Sequence, residues 1–184
     1  MATRLIAPDL AHLGAYAEAL ERGWSADTMR PQAAQEELAR IAADPAAFVA
    51  SLDDPEARGA PITLPDGSQV PRLPGLRRWI WDDGFCGSIG LRWQAGTADL
   101  PPYVRGHIGY AVVPWRRGEG QATRALGLLL PLARALGLPH VEITTLADNA
   151  ASQAVVTANG GREVGRFDDP LHQGAETVRF RILL

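Results

Sequence analysis

The sequence predicts an α/β fold of the α+β kind, with helices first and a sheet-forming remainder after them. Three observations carry that expectation. Apolar residues near the start recur at spacings of three and four, short strand-like runs bounded by turn signals fill the middle, and one strand passes through a glycine-rich turn into a helix. With 184 residues, 46% of them hydrophobic, the chain can close one sizeable core. A single domain over 1–184 is therefore expected, its first 59 residues helical and 60–184 forming the sheet and ligand-binding part.

The elements follow in order. Leu10, Leu13, Ala17 and Leu20 share one helical face, and Gly23 ends that helix. Pro31 suits a first helical position, and the Ala-, Glu- and Leu-rich stretch from Gln32 to Ala43 follows it with Leu38 and Ile41 inward. Asp44-Pro45 reads as cap then proline, opening a short helix through Phe48 and Leu52. From Ala60 to Gly75 several prolines and the Asp66-Gly67 turn signal impose loop or extended structure, with Ile62-Thr63-Leu64 a short strand.

A hairpin is expected from Arg78–Trp81 and Phe85–Trp93 around Asp82-Asp83-Gly84. His107–Val113 forms the next strand, which Pro114 stops. Ala122–Leu136 has helical composition, with a kink expected at Pro131. Val141–Leu146 is a β-branched strand, and Asp148-Asn149 caps a helix that Gly160-Gly161 closes. Strands at Glu163–Phe167 and Thr177–Leu184 complete the chain.

Composition narrows the chemistry. A net charge of -3, with Lys and Arg spread along the chain, lacks the basic footprint of a nucleic-acid binder. The longest apolar stretch, near Leu126–Leu138, is broken by Pro131 and Arg134 and is too short to cross a membrane. The N-terminal residues have no secretory signal pattern, so a cytoplasmic location is the expectation. Cys86 is alone in an apolar run and reads as a buried core thiol, while His12, His107, His140 and His172 are too scattered for any metal-ligand spacing, so no metal is expected. Trp24, Trp79, Trp81 and Trp93 fill the core or line an apolar site, and core is the better reading.

Chemistry concentrates at Arg116-Arg117-Gly118-Glu119-Gly120-Gln121-Ala122-Thr123. A strand running into a glycine turn and then a helix makes an anion site, because the first-turn amides have no partner within the helix. Gly118 and Gly120 let the backbone approach a phosphate closely, and Arg116, Arg117 and Arg124 gather positive charge there. The segment fits neither the phosphate-loop pattern G-x-x-x-x-G-K-[ST] nor the dinucleotide fingerprint G-x-G-x-x-G.

The run Arg117-Gly118-Glu119-Gly120-Gln121-Ala122 resembles the acetyl-CoA motif [QR]-x-x-G-x-[GA] of the GCN5-related N-acetyltransferase superfamily. The resemblance extends upstream through Gly106–Val112 and downstream through Asp148–Ser152 to Asn159-Gly160-Gly161, about half of the chain, and Val70-Pro71 with Trp79 is similar to a bacterial branch of predicted acetyltransferases. It implies a GNAT-like mixed, mostly antiparallel sheet, flanked by helices, with a central splayed parallel strand pair. The pantetheine arm of acetyl-CoA would lie in the opening, lined by Val112 and Val113. Amides of Arg117, Gly118, Glu119, Gly120, Gln121, Ala122 and Thr123 would bind the pyrophosphate, and Asn149, with Ser152 as a further cofactor contact, the pantetheine arm, unless Asn149 serves only as a helix cap.

The implied reaction is direct attack of a primary amine, on a small molecule or peptide, upon the thioester. That needs an uncharged amine, a stabilised oxyanion and a proton for the thiolate. A backbone amide near Val112 is the oxyanion donor that the resemblance implies. His107, at the strand's start, is the first candidate base, against the plainer reading of a hydrogen-bonded strand-end histidine, and Glu142 is the second. The tyrosine that many members carry in the helix after the second splayed strand is absent from Asn149–Asn159. Ser152 is the nearest hydroxyl, and Tyr110 should point away from His107. A non-catalytic acyl-CoA sensor is the alternative, and the chain is expected to be a monomer or homodimer.

Overall fold

The computed structural model describes residues 2–27, 30, 32–64, 66–170 and 174–184, so the expectation for Pro31 lies outside the described residues, as does His172. The chain runs β1 (Arg4–Ile6), α1 (Leu13–Glu21), α2 (Ala33–Ala43), α3 (Pro45–Ala50), β2 (Ile62–Thr63), β3 (Gln69–Val70), β4 (Gly75–Trp81), β5 (Phe85–Arg92) and β6 (Ile108–Val112). A single 3₁₀ turn (Pro114–Arg116) then leads to α4 (Gln121–Ala135), β7 (His140–Leu146), α5 (Ala150–Ala158), β8 (Arg162–Asp169) and β9 (Ala175–Leu183).

Local chemistry accounts for most boundaries. Asp44 caps α3 by accepting from the Ala47 amide at 2.9 Å, with Pro45 at the first helical position. The β4–β5 hairpin turns at Asp83 and Gly84, both with positive φ. Pro131 lies inside α4, which continues to Ala135 before Gly137 takes the left-handed conformation that ends it. Two expectations need correcting. Leu10 precedes α1 and is exposed, the buried face being Leu13, Tyr16, Ala19 and Leu20, and the first ten residues supply a strand, β1, whose three residues are too few to show a period.

Each ladder among the described residues is antiparallel. β1-β4-β5-β6 form one sheet, β7-β9-β8 a second and β2-β3 a small hairpin. The two larger sheets meet at β6 and β7, joined in sequence through α4. The junction holds at one point: the His107 amide donates to the Glu142 carbonyl at 2.7 Å, and the Glu142 amide donates to His107 Nδ1 at 2.9 Å. An imidazole thus takes the bond that a continued ladder would give to a carbonyl, and beyond it no ladder joins the strands.

Two apolar clusters flank the first sheet. On one face, Ile80, Cys86, Ile89, Leu91 and Ile108 pack with Ala125, Leu126, Leu129 and Ala133 of α4 and with Val141, Ile143 and Phe180 of the second sheet. On the other, Tyr16, Leu20, Trp24 and Phe48 cover Trp79, Phe85, Ala111 and Val113, with Tyr16 stacked on Trp79 at 5.0 Å. Trp24 and Trp79 are core residues, and Cys86 is fully buried, where desolvation raises its thiol pKa, in keeping with a structural thiol.

Candidate functional site

The divergence of β6 from β7 opens a cavity of about 540 Å³. Ile108, Gly109 and Tyr110 line it from β6, Ile143–Leu146 from β7, and Asn149 and Ser152 from the start of α5. Val113 donates its amide to Cys86 at 3.0 Å across the β5–β6 ladder, and alternation then turns the amides of Tyr110 and Val112 the other way, toward the opening. These are the free donors that an extended ligand in the cleft would meet. The expectation for Val113 is corrected: its amide is spent and its side chain is buried against the N-terminal helices, while Val112 is half-buried and turns its amide the other way.

The glycine turn stands at the C-terminal end of β6. Gly118 and Gly120 have φ of 77° and 75°, so the turn needs glycine for its left-handed backbone as well as for close approach. Gly120 is the N-cap of α4 and offers no side-chain cap, which leaves the first-turn amides of Gln121, Ala122 and Thr123 facing out. The Gln121 side chain is buried, accepting from Thr3 at 2.8 Å and donating to Asp82 at 3.0 Å, so it anchors the turn and leaves ligand contact to its backbone. Arg116 is held by Glu119 at 2.8 Å and Arg124 by Thr3 at 2.6 Å, while Arg117 is exposed. Asn159 donates to the Thr123 carbonyl at 3.1 Å, fixing α4 against the far end of α5.

Asn149 Oδ1 accepts from the Ser152 amide at 3.0 Å, so the capping reading holds, and the residue also lines the cavity. The Ser152 hydroxyl meets the Tyr110 hydroxyl at 2.8 Å. Burial raises the Tyr110 pKa, which keeps the phenol protonated at neutral pH. Sequence reasoning set Tyr110 aside because it faces away from His107; it does so, and the face it takes is the cleft. The signal that would have found it is β6 alternation combined with the placement of α5.

His107 and Glu142 are brought together, although as parts of the strand junction. The His107 ring is fully buried, its Nδ1 lone pair accepts from the Glu142 amide, and desolvation pushes its pKa down to about 4. A base needs a reachable lone pair, and this one is occupied. The Glu142 carboxylate is bound by Arg181 at 2.6 Å and Arg179 at 3.7 Å on the neighbouring strand β9. The structure therefore corrects both base candidates, since neither side chain borders the cavity.

Comparison with known proteins bears on the same region. The sequence profile of the acetyltransferase (GNAT) domain family matches residues 6–162. The chain belongs to that family. This GNAT acetyltransferase is similar in fold to the microcin self-immunity acetyltransferase MccE in complex with acetyl-CoA and AMP, at 13% identity and a TM-score of 0.62 over 99% of this chain and 92% of that one. It is similar also to RimL, a ribosomal-protein alpha-N-acetyltransferase in complex with coenzyme A, at 16% identity and a TM-score of 0.62 over 99% and 94%. A probable acetyltransferase is 23% identical, with a TM-score of 0.60 over 98% and 91%. No curated protein matches the chain. The GNAT acetyltransferase is thus an acyltransferase of mixed α/β fold, and among its described residues no helix is long and apolar enough to cross a membrane.

Proposed function

We propose that this GNAT acetyltransferase transfers the acetyl group of acetyl-CoA directly to a primary amine of a small molecule or peptide. The carrying observation is the opening between β6 and β7, with outward amides at its edge and a helix N-terminus beyond it. One extended donor fits: pantetheine between the strands, bonded by the Tyr110 and Val112 amides and by the Asn149 side-chain NH₂, and pyrophosphate on the amides from Arg117 to Thr123. The donor supplies the activated acyl group. The neighbours seen with acetyl-CoA and with coenzyme A support this reading, and their differing names leave both small-molecule and peptide acceptors in range.

In the reaction the amine nitrogen attacks the thioester carbonyl while a β6 amide bonds to the developing oxyanion. Collapse breaks the C–S bond, and the Ser152–Tyr110 hydroxyl pair delivers a proton to the thiolate. The amine's proton passes to water in the open cavity, because His107 and Glu142 are engaged elsewhere. The N-terminal helices and the loop over residues 60–75 form the acceptor side of one acetyltransferase domain.

Two measurements test this. Calorimetric titration should show binding of acetyl-CoA, and a thiol-detecting assay should show CoA release that depends on added amine. No binding would overturn the proposal, and binding with no turnover across an amine and peptide panel would replace it with an acyl-CoA sensor.

A further inference from the structure

The cavity continues past the splayed strands to a wall formed by β4 and β5. Ser88, Gly90 and Arg92 recur at period two on β5, and Arg77 of β4 pairs with Gly90 across the ladder, so both arginines stand on one face with a glycine between them. Gly90 pairs in turn with Gly109 of β6, and the Arg92 Nη2 lies 3.5 Å from where a Gly109 Cβ would be. The floor under the guanidinium is bare backbone, one residue from the outward Tyr110 amide.

The charge on this wall is poorly compensated. Arg78, the next residue on β4, is held by Asp53 at 2.6 Å, whereas Arg92 makes no side-chain hydrogen bond or ion pair among the described residues. Arg77 pairs with Glu37 at 3.5 Å and also acts on the Tyr16 hydroxyl, and its Nη1 has no hydrogen-bond partner among the described residues. Asp27 borders the same cavity and is bound to Arg30 at 2.9 Å; its pull on Arg92 is smaller than the repulsion from Arg77. Arg92 is exposed and lines the cavity, and desolvation and then Arg77 lower its pKa, so an anion placed between the two arginines would meet two like charges at once.

Resting on the acetyl-transfer reading, we infer that the amine acceptor also carries an anionic oxygen group, a carboxylate or a phosphate, which Arg92 and Arg77 bind beside β6. A planar guanidinium fork matches either group with two parallel N–H bonds, and loss of one such charged contact changes binding roughly tenfold to hundredfold. The anion also sets the register of the acceptor, because Arg92 stands next to the strand whose amides face the thioester.

The test compares paired acceptors in amine-dependent CoA release: alanine against alaninamide, and O-phosphoethanolamine against ethanolamine. The anionic member of at least one pair should have the higher kcat/KM by about tenfold or more. In Arg92→Gln and Arg77→Gln that selectivity should fall toward one through KM, with acetyl-CoA affinity measured in parallel and folding checked by circular dichroism. Arg92→Lys should recover part of it. Equal turnover of both pairs, or selectivity that survives the two Gln substitutions together, overturns the inference. If no amine releases CoA, acetyl transfer itself fails. The anion site is then read by calorimetric titration of alanine and O-phosphoethanolamine into wild type and Arg92→Gln: binding lost in the variant supports the site, and no binding of either overturns it.

Discussion

At the scale of single residues, two side chains that a sequence reading treats separately act as one unit. Ser152 and Tyr110 lie 42 positions apart and meet at 2.8 Å. If the pair protonates the thiolate, Ser152→Ala and Tyr110→Phe should each lower kcat by ~10- to 100-fold with little change in acetyl-CoA affinity, and the double variant should be little worse than either. Steady-state kinetics with saturating acetyl-CoA would check this. Asn149 caps α5 through Oδ1 and also lines the cleft, and the proposed pantetheine contact through its NH₂ is separable from the cap. Asn149→Asp keeps the cap acceptor and loses the donor, so calorimetry should find weaker acetyl-CoA binding with the melting temperature held. Asn149→Ala should lose both, including about 1 kcal/mol of stability.

At the scale of elements, the glycine turn and the start of α4 form one device. Gly120 has φ of 75°, where a side chain is strained by about 1 kcal/mol, and a Cβ there would also stand 2.8 Å from Arg124 Nη1, the movable end of a side chain. Gly120→Ala should therefore leave the protein folded while reorienting the first-turn amides, and acetyl-CoA affinity should fall more than stability does. Parallel thermal melts and titrations would separate the two. The turn itself was legible from Arg117 to Thr123 because glycine spacing is written locally. The anchoring of Gln121 by Thr3 and Asp82 was not, because those partners are 118 and 39 positions away.

At the scale of the whole molecule, the junction between the two large sheets is a buried neutral imidazole. The folded-state pKa of His107, about 4, lies below its ordinary value of 6.5. The unfolded chain therefore binds the proton more readily, so this contribution to stability is complete above about pH 6.5 and is lost as the pH falls toward 4. Urea melts across that window should show falling stability, and His107→Leu should flatten the slope while reducing stability overall through the orphaned Glu142 amide. Turnover by the folded variant would agree with a structural His107; its abolition would return His107 to the chemistry.

The division between what the residues state and what the fold decides follows range of interaction. The α/β class, the β4–β5 hairpin, the cap at Asp44, the glycine turn and the Asn149 helix start all rest on neighbours within a few positions, and the sequence by itself determined them. Tertiary structure alone decided that β1 joins β4, that Val113 is spent on the core, that Arg179 and Arg181 occupy Glu142, and that Arg77 and Arg92 share a wall with little counter-charge. Each of those depends on which strands become neighbours, and strand pairing is fixed by how the sheets bury their faces rather than by any short run of residues.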